Sequence, residues 1–327
     1  MSGTAQRPPQ PSESDRGASP GDGLPAHAAA TYYEQPLLKK PHWEWEVVTY
    51  LFLGGIMGGS GILVMLADDR PEREIDLARS ARYVSFVLAG ACPAVLIKHL
   101  GRPERFLNML RIVKFKSVMS MGVWGLIAFS APATLAAGGQ LSRDGVLPKW
   151  IAALEPRGLT KVLLGFIGAF IGGYTGVLLS ATAIPVWGTG KRYIPALSVC
   201  SGFAGACAAN AAILALSGTD RTRHKLERLE LIASTAEFVM LEMFRRQAGG
   251  TGDPMFAGER GSKLRRFTQF AGILGPAALH LLPFGGRTKT LLASALTLCG
   301  GYVLRETFIE AGKASADDPR AASRQPE

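Results

Sequence analysis

Five stretches of the 327-residue chain run for 20 residues or more without an Asp, Glu, Lys or Arg. They are Val47–Ala67, Ser117–Leu141, Val162–Gly190, Tyr193–Thr219 and Phe267–Gly286, of 21, 25, 29, 27 and 20 residues. A helix needs about 20 apolar residues to cross the hydrocarbon core of a bilayer, so each run predicts a transmembrane span. Two shorter windows of 15 residues, Tyr83–Ile97 and Thr290–Leu304, are flanked by Arg82 and Lys98 and by Lys289 and Arg305. The stems of these side chains reach the interface while the helix continues inward, which adds two spans.

An eighth span, about Lys225–Phe244, would fail a plain hydropathy cut because it carries glutamates. Its polar residues are ordered, however. Glu227, Glu230, Ser234 and Glu237 fall on one helical face, and Leu229, Ile232, Ala233, Val239 and Met240 occupy the rest. That pattern predicts a helix whose polar stripe faces a bundle interior. The fold expected is an all-α integral membrane protein of about eight spans: 46–67, 80–98, 117–138, 160–183, 194–216, 225–244, 267–284 and 289–310. Residues 1–40 read as a disordered polar tail, 41–312 as one polytopic domain and 313–327 as a second tail.

Composition follows from this layout. Only 19% of residues are charged, because the spans exclude charge and the two tails are polar without being charge-rich. The net charge of +10 would suit a nucleic-acid partner in a soluble chain, but here the basic residues sit between spans and read as a topology signal. Lys and Arg number 21 on the side that holds both termini and 14 on the other, which places the termini in the cytoplasm. The first 30 residues lack an apolar signal-peptide core.

Several chemistries lose their support. Cys92, Cys200, Cys207 and Cys299 lie in predicted spans without a C-x-x-C pair, so they read as small core residues and not as iron–sulfur ligands. His42, His99 and His224 fall at span ends and only His280 lies mid-span, which does not make the facing pair of a membrane haem. His280 itself reads as a core histidine. Metal-ligand spacing, nucleotide loops and hydrolase signatures are missing. The run Gly54-Gly55-Ile56-Met57-Gly58-Gly59-Ser60-Gly61 is expected to be a small-residue face for close helix packing.

What remains is polar and aromatic matter at span ends. The first span is preceded by Tyr32-Tyr33-Glu34-Gln35-Pro36 and Pro41-His42-Trp43-Glu44-Trp45-Glu46, and the second is followed by His99-Leu100-Gly101-Arg102-Pro103-Glu104-Arg105-Phe106. The fourth carries Gly173-Tyr174-Thr175-Gly176, and the last ends Gly300-Gly301-Tyr302-Val303-Leu304-Arg305. At these residues, from about Tyr32 to Gly312, the chain resembles the NrfD/PsrC-type (polysulfide reductase-like) membrane subunits. The most specific pieces are Leu100–Phe106, Tyr174-Thr175-Gly176 and the late Gly-Gly…Arg.

The resemblance implies an eight-helix subunit of the bacterial inner membrane, built as two four-helix bundles and carrying no haem or iron–sulfur cluster of its own. Such a subunit binds menaquinone or ubiquinone as substrate and exchanges electrons with an iron–sulfur partner, which serves a molybdopterin or multihaem cytochrome subunit; proton translocation is a further possibility. A quinone needs an apolar slot, hydrogen-bonding groups at its two oxygens and a titratable route to water. His42, Trp43, Tyr50, Tyr174 and Arg305 are the quinone-site candidates, and Glu237, Glu230 and His99 the proton-path candidates. Tyr33, Pro36, Arg102 and Arg105 are assigned to partner docking.

Plainer roles compete for some of these residues. Trp43, Trp45 and Trp187 suit an interfacial aromatic belt, and Arg305 could snorkel to pair with Glu306 or Glu310. His99 stands where the family commonly has an aspartate, and Tyr50 aligns roughly with a position that is histidine in some relatives. Two alternative functions also fit the pattern: a secondary transporter built around an intramembrane carboxylate, and a passive anchor.

Overall fold

The computed structural model describes residues 38, 41–67, 74–101, 104–111, 113–114, 116–219, 221–282 and 286–317, and these contain helices and turns but no strand. The long helices are α1 (Trp45–Leu66), α2 (Ile75–Leu100), α4 (Val118–Arg143), α6 (Arg157–Ser180), α8 (Ile194–Leu216), α9 (Arg223–Ala248) and α13 (Arg287–Asp317). An eighth rod starts as α11 (Gly258–Lys263), continues as a π-helix over Leu264–Leu274 and ends as α12 (Gly275–Leu281). Short connectors are α3 (Glu104–Arg111), α5 (Lys149–Ala153), α7 (Pro185–Thr189) and α10 (Asp253–Phe256).

Helix is the local structure that satisfies every backbone polar group inside the segment, which is why uncharged runs of this length adopt it in lipid. Among the described residues, five helices are long and apolar enough to cross a membrane: α1, α2, α4, α6 and α8. The other three rods carry charge, and on α9 the polar face is buried: Glu227, Glu230, Ser234 and Glu237 all lie inside, as the face pattern predicted, while Arg228, Arg245 and Arg246 are exposed.

The rods alternate in direction. The end at which α1 begins is called proximal here and the other end distal. Helices α1, α2, α4 and α6 pack together, and α8, α9, the π-containing rod and α13 form a second group; α1 and α6 also touch α8, and α1 touches α13.

Burying apolar surface between helices gains little in lipid, so close van der Waals approach must hold the groups together. Glycines supply it. A Cβ at Gly58 would collide with the Gly168 carbonyl oxygen of α6, and one at Gly59 would lie 2.7 Å from the Gly202 carbonyl oxygen of α8. Gly61 meets the Leu164 carbonyl in the same way, and Gly272 of the π stretch meets Gly300 of α13. The glycine run of the first span is therefore a packing face, as expected.

Polar clips fix the distal end. Lys161 Nζ donates to the Ala67 carbonyl at 2.5 Å, and Lys225 Nζ donates to the Leu66 carbonyl at 3.1 Å and to Glu74 at 2.6 Å. Asp144, just past α4, accepts from Arg79, Tyr83 and Gln140 at 2.7, 2.6 and 2.9 Å. Burial pushes its carboxyl up, but the Tyr83 and Gln140 hydrogen bonds and the Arg79 guanidinium outweigh that and hold it below the usual carboxylate range.

Two expectations are corrected. Helix α13 continues through Gly312, where a tail was expected to start at 313, and ends at Asp317 with Ser315 and Ala316 buried. The reason is Trp187, whose ring lies against Gly312 and whose Nε1 donates to the Phe308 carbonyl at 2.9 Å, while Ser315 Oγ accepts from the Val186 N–H. Trp187 is accordingly fully buried and no part of an interfacial belt, whereas Trp45 is 54% exposed and suits one.

Gly58→Val should lower thermal stability in detergent by about 1–3 kcal/mol through overpacking. Gly54→Ala, which has open space around the added methyl, should leave it unchanged. Because the Asp144 carboxyl is held low, its contribution is complete above the unfolded value near 3.9 and is lost as pH falls through the lower folded value. The melting temperatures of wild type and Asp144→Asn should differ at neutral pH and converge in acid.

Candidate functional site

Near the proximal face α1, α2, α4 and α6 enclose a cavity of about 130 Å³. Its walls are apolar, with Val47, Leu96, Met119 and Leu178 among them, and four side chains supply polarity: Trp43, Tyr50, His99 and Tyr174. Each arrives for a local reason. Trp43 lies just ahead of α1 and stacks on buried Trp187, ring centroids 5.2 Å apart. Tyr50 projects from the second turn of α1. His99 sits in the last turn of α2, which Gly101 ends by adopting φ +66°, a conformation glycine reaches without strain. Tyr174 crosses from α6 to α4, where its ring fills the space that a Cβ at Gly122 would take.

The hydrogen bonding of the two tyrosines differs. Tyr174 Oη donates to the Val118 carbonyl at 2.9 Å, so its one proton is engaged and its oxygen can only accept from an occupant. Tyr50 Oη and the His99 ring have no hydrogen-bond partner among the described residues. The cavity thus offers an unengaged phenol, an imidazole and an accepting phenol oxygen around an apolar slot. Lys98 lies over the Trp45 ring outside it, 4.4 Å from the centroid.

Three of the five quinone-site candidates meet here, and His99, expected on a proton path, joins them. His42 does not: its side chain is 91% exposed and pairs with Glu44 at 3.2 Å, because it precedes the helix and points to solvent. Arg305 does not either. It is buried among α1, α8 and α13, where Nη1 donates to Ser201 Oγ at 2.7 Å and to the Gly301 carbonyl at 2.8 Å, with the guanidinium over the Phe52 ring. The snorkelling expectation fails with it, since Glu306 pairs instead with Lys263 at 2.8 Å. Tyr33, Pro36 and Arg102 lie outside the described residues; Arg105 belongs to α3, and its side chain lies outside them.

The second polar system runs down α9. Glu237 accepts from the Ser201 hydroxyl and faces the Arg305 charge, so Ser201 links anion and cation. Toward the distal end Glu230 accepts from Thr297 at 2.5 Å. His280 of α12 lies between Glu227 and Glu230, with Nδ1 at 3.7 Å from one carboxylate and Nε2 at 3.4 Å from the other. Reading His280 as an ordinary core histidine missed this. Neither ring nitrogen has a hydrogen bond among the described residues, and the side chain is 7% exposed. The signal was available: a mid-span histidine and a glutamate face at matching depth in neighbouring spans.

A buried charge in lipid is tolerated when an opposite charge or hydrogen bonds compensate it. The ordered series Glu227, His280, Glu230, Thr297, Glu237, Ser201 and Arg305 meets that condition and leads from the distal end toward the proximal half.

Comparison with known proteins gives a consistent result. The family model described as "Polysulphide reductase, NrfD" matches residues 37–315. The "Protein NrfD homolog" of Haemophilus influenzae is 28% identical over 225 residues, 62% of this chain and 69% of that one. "Protein NrfD" of Escherichia coli is 32% identical over 159 residues, 42% of this chain and 49% of its own. The C subunit of polysulfide reductase from Wolinella succinogenes is 28% identical over 187 residues, 51% of this protein and 56% of the relative. The matched part is thus about half the length of the latter two relatives.

Arg305→Met should strand Glu237 in the interior and lower thermal stability on the order of 3 kcal/mol. Adding Glu237→Gln should restore most of the loss. A double-mutant cycle by thermal denaturation in detergent checks the coupling.

Proposed function

The chain belongs to the NrfD polysulphide reductase family, and from that premise we propose that it is the quinone-interacting subunit of a respiratory oxidoreductase. It is a multi-pass membrane protein. In this reading it crosses the bacterial inner membrane eight times with both termini in the cytoplasm. It passes electrons between the quinone pool and an iron–sulfur partner that serves a molybdopterin or multihaem cytochrome subunit. The Wolinella relative is lettered as one component of its reductase, which supports a place among other subunits.

The observation that carries the proposal is the convergence of Trp43, Tyr50, His99 and Tyr174 on one apolar cavity. A quinone ring is flat and apolar, with an oxygen at each end. Tyr50 can donate to a quinone oxygen, and Tyr174 can accept from a quinol hydroxyl because its own proton is held by Val118. Oxidation of a quinol releases two electrons and two protons. His99, at the end of α2, is placed to take the two protons one after the other and hand each to the proximal surface. The electrons leave through the partner's cluster, since transfer between carriers requires no redox centre in this chain.

The charged series from Glu227 to Arg305 is assigned to proton movement within the second group. Glu237 and Glu230 keep the role expected of them, and Glu227 and His280 join. The same buried carboxylates would suit a secondary transporter. The cavity favours the quinone reading, because it is apolar and aromatic and none of these carboxylates lines it.

Replacing Tyr50 by Phe removes one hydrogen bond to the substrate, so quinol-coupled turnover of the assembled complex should fall roughly tenfold while assembly persists. Tyr174→Phe should also lower it, and Glu237→Gln should lower turnover or its coupling to proton movement. Full turnover in both tyrosine variants of an intact complex would overturn the site.

A further inference from the structure

A second opening, of about 820 Å³, lies on the proximal face where α11 passes into the π-helix. Its wall carries both signs of charge: Arg260, Lys263 and Arg266 against Glu259 and Glu310, with the Ser262 hydroxyl between them. Glu259 and Glu310 face the Lys263 ammonium at a distance but form no close ion pair with it. Arg266, Glu259 and Glu310 have no hydrogen-bond or ion-pair partner among the described residues. Arg260 spends one guanidinium N–H on the Pro254 carbonyl at 3.2 Å and keeps the others. Lys263 is taken, since it pairs with Glu306 at 2.8 Å. Burial pushes its ammonium down, but the Glu306 hydrogen bond and the charges of Glu306, Glu310 and Glu259 outweigh that and hold it above the usual range.

The opening continues into an apolar surface. Phe267 lines it and is 47% exposed, and Phe270 and Leu274 are 61% and 47% exposed further along the rod. Arg266, Phe270 and Leu274 follow one another at intervals of four, close to one turn each in a helix whose hydrogen bonds run from i to i+5. One side of the rod therefore offers charge at the membrane surface and then aromatic and aliphatic side chains toward the bilayer interior. A lipid has the same order, headgroup first and chains after.

We propose that this recess binds the headgroup of a phosphatidylethanolamine-type lipid, its phosphate on Arg266 and Arg260 and its ammonium on Glu310 and Glu259. The choice of headgroup comes from charge complementarity. A purely anionic headgroup would satisfy the arginines but bring its phosphate up against the Glu259 and Glu310 carboxylates. A choline headgroup has the right charges but no N–H to donate to them. A primary ammonium with a phosphate meets both sets. This assignment does not rest on the quinone reading, because no residue of the recess lines the aromatic cavity.

The test uses the full chain in its native membrane complex, transferred to nanodiscs of equal parts phosphatidylethanolamine, phosphatidylglycerol and phosphatidylcholine, with retained lipid read by native mass spectrometry. The ethanolamine lipid should be retained roughly tenfold over either competitor, the worth of one charge-assisted hydrogen bond. Arg266→Gln should lower the retained amount of all three lipids several-fold, because all three carry the phosphate. Glu310→Gln should move the preference toward phosphatidylglycerol, with melting temperature showing that both variants stay folded. Equal retention of the three lipids, a preference for the anionic one in wild type, retention unaltered by Arg266→Gln, or a preference unaltered by Glu310→Gln would overturn the proposal. So would full displacement by soluble phosphoethanolamine at the lipid's concentration, which would show a free phosphate ligand.

Discussion

The close approach of three backbones at the glycines of α1 is the constraint on which the rest of the molecule depends. Gly58 and Gly61 bring α1 against α6, and Gly55 and Gly59 bring it against α8. A bilayer supplies no hydrophobic force to compensate for a gap, so a side chain at Gly58 or Gly61 would push α1 off α6, and one at Gly55 or Gly59 would part the two helical groups. The consequences reach both polar systems. One side of α1 presents Tyr50 to the aromatic cavity, and another presents Phe52 and Gly55 to Arg305. A shift of α1 would therefore disturb both at once, although no residue is shared between them.

Much of this was legible in the sequence, and what was missed has a common physical cause. Spans can be read because the solvent requirement is local: a run of 20 uncharged residues states it alone. The buried face of α9 was readable for the same reason, since helical periodicity places Glu227, Glu230 and Glu237 together without knowledge of neighbours. Partners across helices were not readable. Glu306 and Glu310 were the near acids in sequence for Arg305, yet helix rotation turns its side chain to Ser201 and Glu237 on other rods. Trp187 reads as a belt residue from its position, and only the fold shows Gly312 opening a place for its ring.

The cavity illustrates the same division. Tyr50 and Tyr174 were identifiable as phenols on apolar spans, but their roles depend on a feature with no side-chain signature, the Val118 carbonyl. His99 was placed on a proton path by analogy and reaches the cavity because Gly101 ends α2 just after it. The π-helical geometry of Leu264–Leu274 has no evident mark in the residue pattern. It lies against α13 where Gly272 meets Gly300, a close approach between two backbones.

The engagement of Tyr174 by the Val118 carbonyl has a thermodynamic consequence for whatever occupies the cavity. A wall with one free phenol donor and one phenol oxygen able only to accept does not treat an oxidised and a reduced ring alike. The first group favours the form that carries bare oxygens, and the second favours the form that carries hydroxyls. The midpoint potential of a bound couple departs from its value in free lipid by the difference between those two affinities. On the proposed quinone reading, the balance between a donated and an accepted hydrogen bond would set which of the two forms the cavity holds more tightly.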